Sequence, residues 1–141
     1  MATLHTPANA VYLAQVSVEA FLAILFLQSG IDKILDRKGN LGWLTGHFAK
    51  SPLAGMVPLL LLIITMMELA AGLLSAAGVV QLLLNRETTL AFWGAAASTL
   101  SIICLFLGQR LAKDYAGAGA LVPYFILSNF ALILLGALPK P

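Results

Sequence analysis

The 141 residues are 60% hydrophobic and only 10% charged, with a formal net charge of +2. A soluble domain carries about 25% charged residues, so this composition excludes a water-soluble globule and reads as an integral membrane protein in a lipid bilayer. The few cations are dispersed, with neither a basic block nor a nucleic-acid motif, which excludes DNA and RNA as partners.

Residues 1–10 contain no Lys or Arg. A cleaved signal peptide opens with positive charge and closes at a small-residue site, so the first apolar run is expected to be retained as a span. Four such runs occur, at about 11–35, 58–84, 90–110 and 120–138, the third being uncharged as far as Leu107. Each approaches or exceeds the roughly 18–20 residues that cross hydrocarbon. No water is available there to satisfy the backbone, so all four are expected to be helices. The predicted fold is an all-α, four-helix membrane bundle forming one transmembrane domain over residues 1–141.

The connections differ in length. Residues 36–57 form the one long loop, in which Leu41, Leu44 and Phe48 fall at helical spacing beside Trp43. This pattern predicts a short helix on or in the interface, ended by Pro52, with Pro58 in the first turn of the second span. The link 85–89 is tight and makes the second and third helices antiparallel neighbours. The link 113–119 is rich in Gly and Ala, which allows close backbone approach. Small-xxx-small faces at Gly72/Ala76 and Gly94/Ser98 predict close helix packing, chiefly within the bundle.

The first and third loops share one side and hold Lys33, Arg37, Lys38, Lys50, Arg110 and Lys113, against Arg86 and Lys140 on the other. The positive-inside rule places those loops in the cytoplasm and both termini outside. If Lys33, Arg110 and Lys113 are ion-paired and buried, the remaining bias is narrow.

Polar groups inside the spans are the candidates for chemistry. Glu19 lies about one third of the way into the first span. Glu68 lies near the middle of the second, about 15 Å past Pro58 along a helix. An ionised carboxylate at that depth costs several kcal/mol, so each must be neutral or face a cation. The functional reading is a proton relay or polar pocket; the alternative is a buried pair that sets helix register. At the end of the first helix, Gln28 and Asp32 share one face and Ser29 and Lys33 another, while Gly30 permits close approach. Arg110 and Asp114 are also four apart and form an intrahelical salt bridge if the third helix continues past Gln109. Both clusters end odd-numbered helices and therefore lie at one membrane face. A shared network of Asp32, Lys33, Arg110, Lys113 and Asp114 is expected, closed by the hydroxyls of Tyr115 and Tyr124. The bland alternative is interfacial charge snorkelling to headgroups.

His5, His47 and the single Cys104 lack the spacing of a haem or metal site, so no metal is expected. One cysteine cannot form a CxxC pair, and Cys104 reads as a small packed residue. Nucleotide-binding and nucleophile-elbow patterns are absent.

Three stretches resemble the DoxX family of small four-helix membrane proteins. One is Ser29-Gly30-Ile31-Asp32-Lys33-Ile34-Leu35-Asp36, followed by Phe48-Ala49. Another is Glu68-Leu69-Ala70-Ala71-Gly72-Leu73-Leu74, ending at Gly78. The most specific is Gly108-Gln109-Arg110-Leu111-Ala112-Lys113-Asp114-Tyr115-Ala116-Gly117-Ala118 with Tyr124-Phe125 beyond it. The resemblance covers about residues 11–138. It implies a bacterial cytoplasmic (inner) membrane and a role beside redox or sulfur chemistry, as a subunit joining membrane or soluble oxidoreductases. Lacking a second cysteine, this chain is not expected to run a dithiol relay alone. The cofactor is left open; a quinone is the candidate that this setting suggests, with Glu68, Arg110 and Tyr115 as candidate groups for its carbonyls and protons. A non-catalytic scaffold or assembly factor is the alternative, and a homo-oligomer is compatible with either. Transport of a small acid or thiol ranks third, since no repeated half or broken-helix pair is present.

Overall fold

The computed structural model describes residues 5–137. Its elements are α1 (Pro7–Leu35), α2 (Arg37–His47), a single 3-10 turn (Ala54–Met56), α3 (Val57–Asn85), α4 (Thr89–Leu111), α5 (Tyr115–Ala120) and α6 (Val122–Gly136). Four helical stretches are long and apolar enough to cross a membrane: Pro7–Leu35, Ala54–Asn85, Thr89–Leu111 and Tyr115–Gly136. The protein is an all-helical four-helix bundle of the multi-pass membrane type.

Local chemistry sets the helix ends. The Thr6 side chain accepts from the Asn9 N–H at 3.3 Å, and Pro7 occupies the first turn of α1. This moves the start of the first helix four residues ahead of the expected position 11. Asp36 closes α1 and opens α2 together: its N–H bonds to the Asp32 carbonyl, and its carboxylate accepts from the Gly39 N–H. The predicted loop helix is therefore present, but it stops at His47 rather than Pro52. Phe48 caps it, and the Ser51 hydroxyl turns the chain back onto the Phe48 carbonyl at 2.8 Å. The tight α3–α4 link turns through Arg86 in the left-handed region, φ 58°. It is closed by Gln81 Oε1, which accepts from the Leu90 N–H at 3.0 Å.

The region 113–119, expected as a Gly/Ala-rich linker, holds most of the short helix α5. Lys113 takes a left-handed φ of 59°. Asp114 then caps α5, accepting from the Gly117 N–H at 2.8 Å. The fourth span is consequently two helices, broken at Leu121 just before Pro123 at the start of α6. The predicted end at Leu138 lies outside the described residues, and α6 closes at Gly136.

The helices close a ring, α1 against α3, α3 against α4, α4 against α6, and α6 back against α1. Small residues make the first contacts tight. A Cβ on Gly78 would lie 2.5 Å from Ala91 Cα, and one on Gly94 would lie 2.7 Å from the Ser75 backbone nitrogen. The small-residue faces are thus used inside the bundle. Leu22, Phe26, Leu82, Ile102 and Leu134 fill the core. Large side chains such as Ile24, Leu84 and Ile126 point outward, exposed by 72%, 81% and 63%. So much outward hydrocarbon suits lipid and not water.

Candidate functional site at one end of the bundle

The end of α1 and the middle of α3 carry the most tightly bonded polar cluster. Gly30 lets α3 approach so closely that a Cβ there would meet Leu69 Cδ2 at 2.8 Å. Ser29 and Lys33, one turn apart, then face Glu68. Lys33 Nζ lies 2.9 Å from Glu68 Oε2, and the Ser29 hydroxyl donates to the same oxygen at 3.1 Å. Lys33 also donates to Ser29 Oγ at 2.9 Å. Glu68 is buried, yet its charge has both a cation and a hydroxyl donor, which offsets its loss of water.

A second cluster joins α2 to the end of α4. His47 Nε2 lies 2.7 Å from Gln109 Oε1 and 3.9 Å from Asp114 Oδ2. With that amide orientation, Nε2 carries the proton and donates to Gln109. Trp43 stacks on the imidazole with ring centroids 4.6 Å apart. Asp114 is held by its capping bond and by its own N–H, which donates to the Gln109 carbonyl at 2.9 Å.

Between these clusters, α2, α3 and α4 enclose a cavity of about 290 Å³. Its walls are hydrocarbon, including Val57, Leu61, Ile64 and Met67, and Cys104 lines one side. Its polar lining groups are Lys33, His47 and Gln109. A larger, shallow depression of about 520 Å³ near Thr88, Phe92 and Trp93 carries no charged side chain. The smaller cavity, hydrocarbon-walled but with Lys33, His47 and Gln109 in its lining, is therefore the better candidate site.

The expected network is only partly assembled. Lys33 and Glu68 meet. Gln109 and Asp114 meet through His47, to which the sequence reading assigned no role. The only signal was its position one turn from Trp43 on an amphipathic loop helix. Arg110 does not pair with Asp114, because α4 ends at Leu111 and the left-handed Lys113 turns Asp114 away as a cap. Arg110 is exposed instead and lies over the Tyr115 ring, 4.5 Å from its centroid. Among the described residues, no ion pair or hydrogen bond joins Arg110, Lys113 or Tyr115 to Glu68, and neither Arg110 nor Tyr115 lines the cavity. Asp32 is exposed and accepts from Asn40 Nδ2 at 3.4 Å. Tyr124 packs near Phe21, ring centroids 6.4 Å apart, rather than closing the network. Glu19 is fully buried far from this cluster.

The donor set fits a quinone in kind. An apolar slot with a few polar groups in its lining suits a planar ring with two carbonyls and a hydrocarbon tail. The groups that line the slot are Lys33, His47 and Gln109, with Glu68 acting behind Lys33.

No family model, curated protein or solved structure matches this chain.

Proposed function

We propose that this protein is a DoxX-like membrane subunit of a redox complex, holding a membrane or soluble oxidoreductase at the bilayer and offering a quinone site. The observation that carries this reading is the hydrocarbon-walled cavity with Lys33, His47 and Gln109 in its lining. In this reading the chain lies in a bacterial cytoplasmic membrane, with α2 and the α4–α5 turn on the cytoplasmic side. The exposed Arg37, Lys38 and Lys50 on the same side suit anionic headgroups or an acidic partner surface.

A bound quinone would supply two-electron, two-proton redox chemistry. The chain's own contribution is positional. Lys33 places positive charge at the slot, its three N–H donors being held by Glu68 Oε2 and by the Ser29 hydroxyl and carbonyl. His47, fixed by Gln109 and by Trp43 stacking, presents an imidazole edge to the same slot. The hydrocarbon walls exclude water and receive the tail.

The test is a mild-detergent pull-down from native membranes, with mass spectrometry of proteins and lipid-soluble species. Co-purification of an oxidoreductase subunit and a quinone, with loss of the quinone in Lys33→Met, supports the reading. A chain that runs alone and retains no quinone overturns it. One observation favours the scaffold alternative: the Lys33–Ser29–Glu68 cluster is satisfied within the chain and ties α1 to α3. On that alternative, Glu68→Gln impairs folding without any quinone-linked effect.

A further inference from the structure

A second polar cluster lies in the bundle core, remote from the cavity. Gln15 and Glu19 share one face of α1, one turn apart, and both are fully buried. Ser75 of α3, also fully buried, lies beside the Glu19 carboxyl. Glu19 is about 21 Å along α1 from Lys33 at 1.5 Å per residue. Every other Lys and Arg among the described residues is exposed. No side-chain cation therefore serves this carboxylate.

Four atoms here have no hydrogen-bond partner: Gln15 Oε1, both carboxylate oxygens of Glu19, and Ser75 Oγ. Their surroundings are otherwise well satisfied. Gln15 Nε2 donates to the Leu134 carbonyl at 2.8 Å. The buried hydroxyls of Thr65, Ser98, Thr99 and Ser101 each donate to the carbonyl one turn back. Ser128 does the same three residues back. Ser75 alone of these buried hydroxyls leaves its carbonyl and lies against the Glu19 carboxyl without a well-formed hydrogen bond to it. The other nearby titratable groups are engaged elsewhere: the Tyr12 hydroxyl donates to the Leu82 carbonyl, and Glu68 holds Lys33.

All four are oxygens, and when Glu19 is ionised three of them are acceptors only and its charge has no counter-charge among the described side chains. What such a set lacks is a compact positive charge. Hard cations are bound by oxygens of this kind, and a buried carboxylate without a counter-charge is costly. We infer that Gln15, Glu19 and Ser75 form a binding site for one compact monovalent cation, a sodium ion. The site is a property of the α1–α3 interface and is independent of the quinone reading.

The test uses the full chain in lipid nanodiscs, with sodium exchanged for choline at constant ionic strength. Thermal midpoints and infrared spectra are recorded for the parent, Glu19→Gln and Ser75→Ala. A parent midpoint that rises saturably with sodium, flat in Glu19→Gln, identifies sodium. Ser75→Ala then needs about tenfold more sodium for the same rise, the effect of one lost oxygen ligand. A sodium-independent midpoint with a carboxylic-acid C=O band, absent from Glu19→Gln and displaced in Ser75→Ala, identifies a neutral Glu19 carboxyl and overturns the inference. The inference is overturned equally by a parent without a sodium response, or by a response that persists undiminished in Glu19→Gln. If Glu19→Gln does not fold, Ser75→Ala decides, and an unchanged sodium response there overturns the inference.

Discussion

Lys33 Nζ and Glu68 Oε2 are 2.9 Å apart, joining the last turn of α1 to the middle of α3 with side-chain exposures of 15% and 2%. Removing one partner strands the other in a low-dielectric interior. Lys33→Met or Glu68→Gln alone should therefore lower stability, with a full charge loss on one side costing about 3–5 kcal/mol. A double change to Lys33→Met with Glu68→Met should recover most of that loss, since an apolar pair of similar volume replaces the ions. Detergent-denaturation curves of the three variants check this. A double variant no more stable than the singles would show that the pair is not a mutual partnership.

Close packing at Gly78 makes a second prediction. An added methyl there meets the Ala91 backbone at 2.5–2.6 Å, whereas at Gly42 in α2 it meets nothing within 4 Å. Gly78→Ala should destabilise by about 1–3 kcal/mol through overpacking. Gly42→Ala should stabilise by up to about 1 kcal/mol, because alanine loses less backbone entropy in a helix. Thermal midpoints of the two variants should move in opposite directions.

Cys104, the sole cysteine, lines the proposed site and is exposed on its free side. A short-tailed quinone occupying the cavity should slow its reaction with a membrane-permeant maleimide. Protection should weaken in Lys33→Met and disappear in a cavity-filling Ile64→Phe variant. Equal labelling rates with and without quinone, in the parent, would remove the cavity from consideration.

The α4–α5 turn yields a fourth prediction. Lys113 sits at φ 59°, a conformation that glycine adopts without steric cost. Lys113→Gly should be neutral to slightly stabilising, by up to about 1 kcal/mol. Asp114→Ala removes the α5 cap and should cost about 1 kcal/mol. It also removes the carboxylate near His47, so limited proteolysis at the α2 and α5 segments should accelerate in Asp114→Ala and not in Lys113→Gly.

The spans were legible because each is a long apolar run, and the loop helix because Leu41, Leu44 and Phe48 keep helical spacing. Boundaries were read less well where a single side chain decides them, as Thr6 does at α1 and Asp114 at α5. Among the polar residues, Ser29 with Lys33 was readable as a helix face. The choice of Glu68 as their partner was not, since it needs α3 to be rotated toward α1. Arg110 and Asp114 had salt-bridge spacing, and the left-handed Lys113 cancelled it. His47 stands 62 residues from Gln109 in the chain, and nothing local announces that contact.

Composition and run length alone determined that this chain is a four-helix membrane protein, because hydrocarbon admits only apolar segments with internally bonded backbones. The tertiary structure alone decided which of the scattered polar groups meet. It pairs Lys33 with Glu68, brings His47 to Gln109, and leaves Glu19 with Gln15 and Ser75 among unpartnered oxygens. Those outcomes depend on helix rotation and on where glycines let backbones touch, which are properties of the packed bundle and not of any one segment.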